Sequence, residues 1–300
     1  MASARDENGF GWTDPAFLEA AHAWIRDRCA VIGPIEQPHL RPWATALRVP
    51  TADGVLWFKA CVEALAHEIA LLELLEHESL PRVIAADASR GWMLLDDAGQ
   101  QVYERADADE HWETFVAAYA RLQIDVAPFA DELVQAGVPD ARTPALLAVF
   151  ERVVDEEGLA LREVLPSLRA HADRLDSLAV PHSAQHDDVH LWNVFLRDGR
   201  YVFLDWGDAC VSHPLLSLGV PLAHAPARLQ TRIRDAFLEP WTSFARRDEL
   251  VAAAESALVL ASVTAVLKWS RIHYGLAPEV RPAYDESLPA LAAALEAACA

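Results

Sequence analysis

The sequence predicts an α+β chain of two lobes: a small antiparallel-sheet lobe with an N-terminal helix over residues 1–95, and a mostly helical lobe over residues 96–300. Three observations lead there. Short β-like runs bounded by turn residues crowd the first hundred positions. After Asp96-Asp97-Ala98-Gly99 the apolar spacing turns helical. The helical remainder is interrupted once, by an apolar hairpin around residues 194–204.

Residues 14–29 read as an amphipathic helix, with Asp14 as N-cap and Pro15 in the first turn. Runs at 32–37, 43–49 and 55–61 read as three strands, the third entered through Ala52-Asp53-Gly54. Residues 62–77 read as a helix with Leu65, Ile69, Leu72 and Leu75 on one side. Residues 83–86 and 92–95 add two strands. Helical spacing follows at 110–122, 143–157 and 159–178, the last two divided by Gly158. Beyond the hairpin, helices are expected at 214–222, 227–245, 248–272 and 285–299. Prolines 181, 214, 226, 278 and 289 punctuate them.

The bulk properties narrow the class. A chain of 300 residues fits one large domain or two lobes, and 53% hydrophobic content excludes a disordered one. The first eight residues carry neither a basic nor an apolar leader segment, so no signal peptide is expected. The longest uncharged apolar run, 257–267, is too short to cross a bilayer and reads as a buried helix. Cys29, Cys61, Cys210 and Cys299 form no CxxC pair, which points away from disulfides and zinc and toward a reduced, cytoplasmic setting. The net charge of −20 opposes nucleic acid and anionic membranes. It either attracts a cationic small molecule or serves only to solubilise the surface. Only two of the 25 basic residues are lysines, Lys59 and Lys268, so a lysine inside an apolar strand stands out.

The chemistry concentrates between Gln185 and Asp208. Asp198-Gly199 between two apolar runs is a strong signal for a two-residue hairpin. Such a turn pairs Leu196 with Tyr201 and brings Asn193 level with Leu204, so Asn193 and Asp205 share one open end. An amide oxygen and a carboxylate meeting there make a hard-oxygen site suited to Mg²⁺, with Asp188 one short loop away. An Asp, an Asn five later and an Asp beyond a hairpin follow the logic of phosphoryl transfer: one carboxylate takes the acceptor hydroxyl's proton, and the other two groups hold the metal.

His186, Asp188, His190, Asn193, Asp205 and Trp206, in this order, resemble the signature of the aminoglycoside phosphotransferase and choline kinase-like family, small-molecule relatives of the protein kinases. The resemblance covers roughly residues 30–220. It implies a protein-kinase-like fold, a nucleotide-binding N-terminal lobe, ATP as donor, Mg²⁺, and a small-molecule hydroxyl as acceptor. It also implies that Asp188 is the catalytic base, Asn193 and Asp205 are metal ligands, and His186 is a structural brace. On the N-terminal lobe it implies that Lys59, closing the third strand, pairs with Glu68 on the following helix rather than with Glu63. Backbone groups near Leu95 and Asp97 would meet the adenine.

Three departures from the family pattern stand out. Asp187 replaces a glycine, adding a carboxylate that binds a cation or faces solvent. The 38–42 loop has no glycine, so a phosphate contact has to come from elsewhere, with Thr45 the candidate. Ser217 stands where the family carries an aspartate that braces the catalytic loop. Candidate acceptor contacts are Asp187, Asp208 and the polar-aromatic run from Lys268 to Tyr274, with Trp269 and His273 foremost in it. An amine-bearing acceptor, a sugar and an amino-alcohol all stay open. So do a kinase-like binder without turnover, and a metal-dependent phosphohydrolase built on His186, Asp187, Asp188 and His190.

Overall fold

The computed structural model describes residues 11–299. Helix α1 (Pro15–Arg26) starts where Asp14 accepts the Ala16 N–H at 2.7 Å, and Pro15 presets the first turn. A five-stranded antiparallel sheet follows: β1 (Glu36–Arg41), β2 (Ala44–Thr51), β3 (Gly54–Cys61), β4 (Val83–Asp87) and β5 (Trp92–Asp96), in the order β1-β2-β3-β5-β4. Successive side chains on a strand point to opposite faces. Phe58 and Ala60 of β3 therefore turn toward α1, where Phe58 meets Trp24 and Trp92 edge-on. Lys59 points the other way, toward α2 (His67–Leu74), which is reached through a 3₁₀ turn at Glu63–Leu65.

The first strand lies later than its composition suggests. Ile32 is exposed, and only a lone bridge between Val31 and Thr51 falls in that stretch. The strand itself includes Pro38, which lacks a ladder donor. An edge position with a register break between Glu36 and His39 accommodates it. The stretch read as a loop is thus mostly strand, and the turn falls at Pro42-Trp43.

The second lobe is built from β6 (Gln100–Gln101) and the helices α3 (Trp112–Val126), α4 (Ala130–Gln135), α5 (Thr143–Glu156) and α6 (Leu165–Asp176). Then come β7 (Ser183–Gln185), the hairpin β8 (Val194–Arg197) and β9 (Arg200–Phe203), and β10 (Cys210–Ser212). Helices α7 (Gly219–His224), α8 (Gln230–Leu238), α9 (Arg247–Gly275) and α10 (Ser287–Cys299) complete it. Strand β6 pairs with β8, and β10 with β7. The helix expected over 227–245 is α8 followed by a 3₁₀ turn at Pro240–Ser243, because Pro240 cannot continue the ladder. The helix expected from 159 begins at Leu165, with Pro166 in its first turn.

The fold is α+β, bilobal and protein-kinase-like. Helix α9 ties its parts together. Leu250, Ala257, Leu260, Val263 and Val266 lie in the main hydrophobic core, while Ile272 and Leu276 join the core beneath the N-terminal sheet. Its length and composition alone would suit a membrane crossing. Its packing is that of a central core helix, with α5, α6 and α10 against it.

Candidate active site

The hairpin folds as its turn residues dictate. Asp198 and Gly199 both take positive φ (51° and 78°), which a tight hairpin turn of this hand requires. Leu196 pairs with Tyr201, and the Leu204 N–H donates to the Asn193 carbonyl at 2.9 Å. The open end thus brings Asn193 beside Leu204-Asp205. Asn193 Nδ2 donates to the Asp188 carbonyl and to Asp188 Oδ2, each at 3.0 Å. This orients the amide so that its oxygen faces away from Asp188, without a donor among the described residues. His190 Nε2 lies 3.3 Å from Asp188 Oδ2. Burial opposes ionisation of Asp188, but His190 and the Lys268 ammonium outweigh it and hold the carboxyl well below the usual range.

Asp205 sits at φ 68°, a left-handed conformation that aspartate tolerates better than most residues. Its Oδ1 accepts from Lys59 Nζ at 2.6 Å, and Lys59 also binds Glu68 Oε2 at 2.6 Å. Glu68 is almost fully enclosed, and its second oxygen accepts the Trp206 N–H at 3.0 Å. One lysine thus joins β3, α2 and the segment after β9. Burial opposes the charge on Lys59, yet Asp205 and Glu68 push its pKa above the ordinary lysine value. Burial raises the Glu68 carboxyl, and Lys59 works against that shift. His186 is buried, and its Nε2 lies 2.7 Å from the Leu204 carbonyl, bridging the catalytic loop to the segment that carries Asp205.

The donor set fits Mg²⁺: an orphaned amide oxygen on Asn193 and a half-exposed carboxylate on Asp205, both hard oxygens, share one end of the hairpin. No group of three or more His, Cys, Asp or Glu among the described residues is arranged to hold a metal ion by itself. His186 and Asp187 are both engaged elsewhere, the latter by Thr264 and Gln185. That arrangement does not match a dinuclear hydrolase cluster.

A model of the phosphotransferase enzyme family (APH) matches residues 58–250, the stretch that runs from β3 through the catalytic loop into α9. The chain belongs to the phosphotransferase enzyme family. It is a small-molecule phosphotransferase with an alcohol group as acceptor. Solved structures share the fold at low identity. One is the GDP complex of an aminoglycoside 2'-phosphotransferase-IIIa mutant, at TM-score 0.61 and 14% identity, covering 96% of this chain and 100% of that one. A second is a choline/ethanolamine kinase family protein from Mesorhizobium loti, at 0.60 and 16%, covering 93% of each chain. A third is Plasmodium vivax ethanolamine kinase, at 0.63 and 10%, covering 89% and 85%. No match is found among the curated proteins.

Other expected site residues of this phosphotransferase fall differently. Thr45 is fully buried, donating to the His39 carbonyl and accepting from Gln37, so its hydroxyl has no face toward a phosphate. Leu95 lies within β5 between Trp57 and Val83, and the sheet takes up its backbone. Asp97 accepts from Trp57 Nε1 at 3.1 Å, and its carbonyl accepts from Arg197 at 2.7 Å. Trp269 stacks on Tyr284 and meets Trp43, and His273 lies 3.9 Å from Asp285. Both point toward the β1–β2 turn and the C-terminal segment, and neither contacts the catalytic loop.

Two further features complete the surroundings of the site. Lys268, one residue before Trp269, reaches the catalytic loop. Its Nζ donates to the Asp187 carbonyl at 2.9 Å and lies 3.4 Å from Asp208 and 4.0 Å from Asp188. The scarcity of lysine was the available signal. Tyr103 and Trp192 form a half-exposed aromatic pair, centroids 4.4 Å apart, on the catalytic-loop side. A cavity of about 680 Å³ lies apart from these residues, behind α2 among Leu72, Leu75, Val83 and Arg197.

Proposed function

We propose that the chain is an ATP- and Mg²⁺-dependent O-phosphotransferase in which Asp188 is the base. The observation that carries this is the Glu68–Lys59–Asp205 chain across the two lobes, ending beside the Asp188–Asn193 pair. Lys59, held charged between two carboxylates, is placed to neutralise a nucleotide's phosphates. Glu68 fixes the lysine's direction. Asp188, kept ionised by its neighbours, accepts the acceptor hydroxyl's proton as the oxygen attacks the terminal phosphorus. Asn193 and Asp205 would hold the metal, which when bound offsets the triphosphate charge. His186 keeps the two halves of the site in register through Leu204.

The test is acceptor-dependent nucleoside diphosphate release with ATP or GTP, Mg²⁺ and a panel of hydroxylated small molecules. Turnover by wild type that persists unchanged in Asp188→Ala removes the base assignment. ATP binding with no acceptor phosphorylated across the panel supports a binder without turnover.

A further inference from the structure

A cavity of about 330 Å³ lies between α5 and α9, and Asp187 and Asp208 close one end of it. Its size is at the low end of the roughly 300–1,000 Å³ typical of small-molecule sites. Val149, Val153 and Leu267 give it apolar walls. Asp187, Asp208, Lys268 and Arg271 make up its polar end. Lys268 also reaches to 4.0 Å from Asp188, so the cavity and the base share one ammonium group.

The charges at that end already offset one another. Lys268 Nζ faces Asp208 at 3.4 Å and Asp187 Oδ2 at 4.0 Å. The Asp187 carboxylate is further spent on Thr264 and Gln185, at 2.9 and 2.6 Å. Asp140, the remaining carboxylate in the lining, is held by Arg142 at 2.7 Å. Arg271 adds a second fixed cation, and its enclosed Nε has no hydrogen-bond partner among the described residues. A ligand ammonium entering here would lose water and find no unpaired carboxylate to receive it. A ligand carboxylate would approach Asp187 and Asp208 together. An uncharged molecule meets apolar walls and leaves the paired charges at the polar end undisturbed.

We propose that this cavity is the acceptor pocket and that Lys268 makes it select a small uncharged alcohol over an amine-bearing one. This rests on the phosphotransferase reading above and names its acceptor class. The chain-wide negative charge therefore does not extend to a cation-seeking acceptor site. The built-in lysine takes the place that an acceptor's ammonium would otherwise occupy.

The experiment uses three probes of one ring size: trans-1,2-cyclohexanediol, trans-2-aminocyclohexanol and 2-hydroxycyclohexanecarboxylate. Ligand-detected NMR titrations on the full chain give their affinities for wild type, Lys268→Arg and Lys268→Met. The diol is expected to bind wild type at least about tenfold tighter than the amino-alcohol. Lys268→Arg keeps that order. Lys268→Met reverses it, because Asp208 and Asp187 then lack a partner and take the ligand's ammonium. The proposal is overturned by an amino-alcohol that binds wild type as well as the diol does. An order unchanged in Lys268→Met, or no binding by any probe, overturns it equally. If Lys268→Met fails to fold, the wild-type and Lys268→Arg orders still decide. Diphosphate release with the same probes separates the two claims: the expected binding order without release with any acceptor removes the transferase reading and leaves the pocket's charge selectivity standing.

Discussion

Asp187 shows how much one position can settle. Its backbone sits at φ 61°, where glycine is the easy choice and aspartate one of the few tolerable alternatives. The substitution keeps the loop's path and adds a carboxylate that secures Thr264 of α9 to the catalytic loop at 2.9 Å. Next to it, Asp188→Asn is expected to lower kcat by about 10²–10⁴-fold, the range for losing a general base. Steady-state rates at saturating substrate check this, and a loss below tenfold would displace Asp188 from the role. Losing an outer partner of a metal ligand costs about 10–100-fold in metal affinity, so Asp205→Asn, which trades the proposed charged ligand for a neutral amide oxygen, is expected to raise the Mg²⁺ needed for half-maximal rate by about that much. A Mg²⁺ titration of turnover reads it. These residues were legible because their spacing is local: a five-residue step and a hairpin place them with few alternatives. Lys268 was read as part of the 268–274 run, but its meeting with Asp187 was not legible, since convergence across 81 positions leaves no local pattern.

At the scale of elements, the missing brace aspartate finds its replacement. Tyr119 of α3 accepts the His186 N–H at 2.8 Å, and its hydroxyl lies 3.4 Å from Ser217 Oγ. Gln123, one turn further on, donates to Ser217 Oγ and to the Ala184 carbonyl, each at 3.0 Å. A helix-borne tyrosine and glutamine thus hold the loop that the serine alone cannot. Tyr119→Phe leaves a buried N–H without its acceptor, so it is expected to cost about 1–3 kcal/mol of stability. Denaturant midpoints measure that cost, and kcat should fall with KM nearly unchanged, since the loop carries the base. Most helices and the hairpin were readable from periodicity and turn chemistry. Strands β7 and β10 were not, because three residues each are too few for a period to show. Strand β1 was displaced by Pro38, which reads as loop until an edge position and a register break accommodate it.

At the scale of the whole molecule, buried histidines set the response to acid. Burial holds His67 at about 3, His186 at about 4 and His213 at about 3, against an ordinary 6.5. With folded values below unfolded ones, the unfolded chain takes up these protons first. Their stabilising contribution is complete above about pH 6.5 and is lost as pH falls toward 4. Asp208, raised by burial to about 6, works in the opposite sense, as do the raised carboxyls of Glu68 and Asp187, but His22, His39, His171 and His182 are lowered too and side with the first three histidines. The melting temperature is therefore expected to fall steadily between pH 6.5 and 4. A Tm that holds or rises over that interval would show that the histidines are not neutral in the fold. The lysine count has a consequence for covalent labelling. The two lysines of these 300 residues, Lys59 and Lys268, both lie in the cleft, each about 13% exposed and paired with carboxylates. An acylating reagent aimed at amines has no outlying lysine to consume it, so each acyl group placed on a lysine silences one molecule. Loss of turnover should track acylation located on these two lysines by peptide mass, and bound nucleotide should shield Lys59 first.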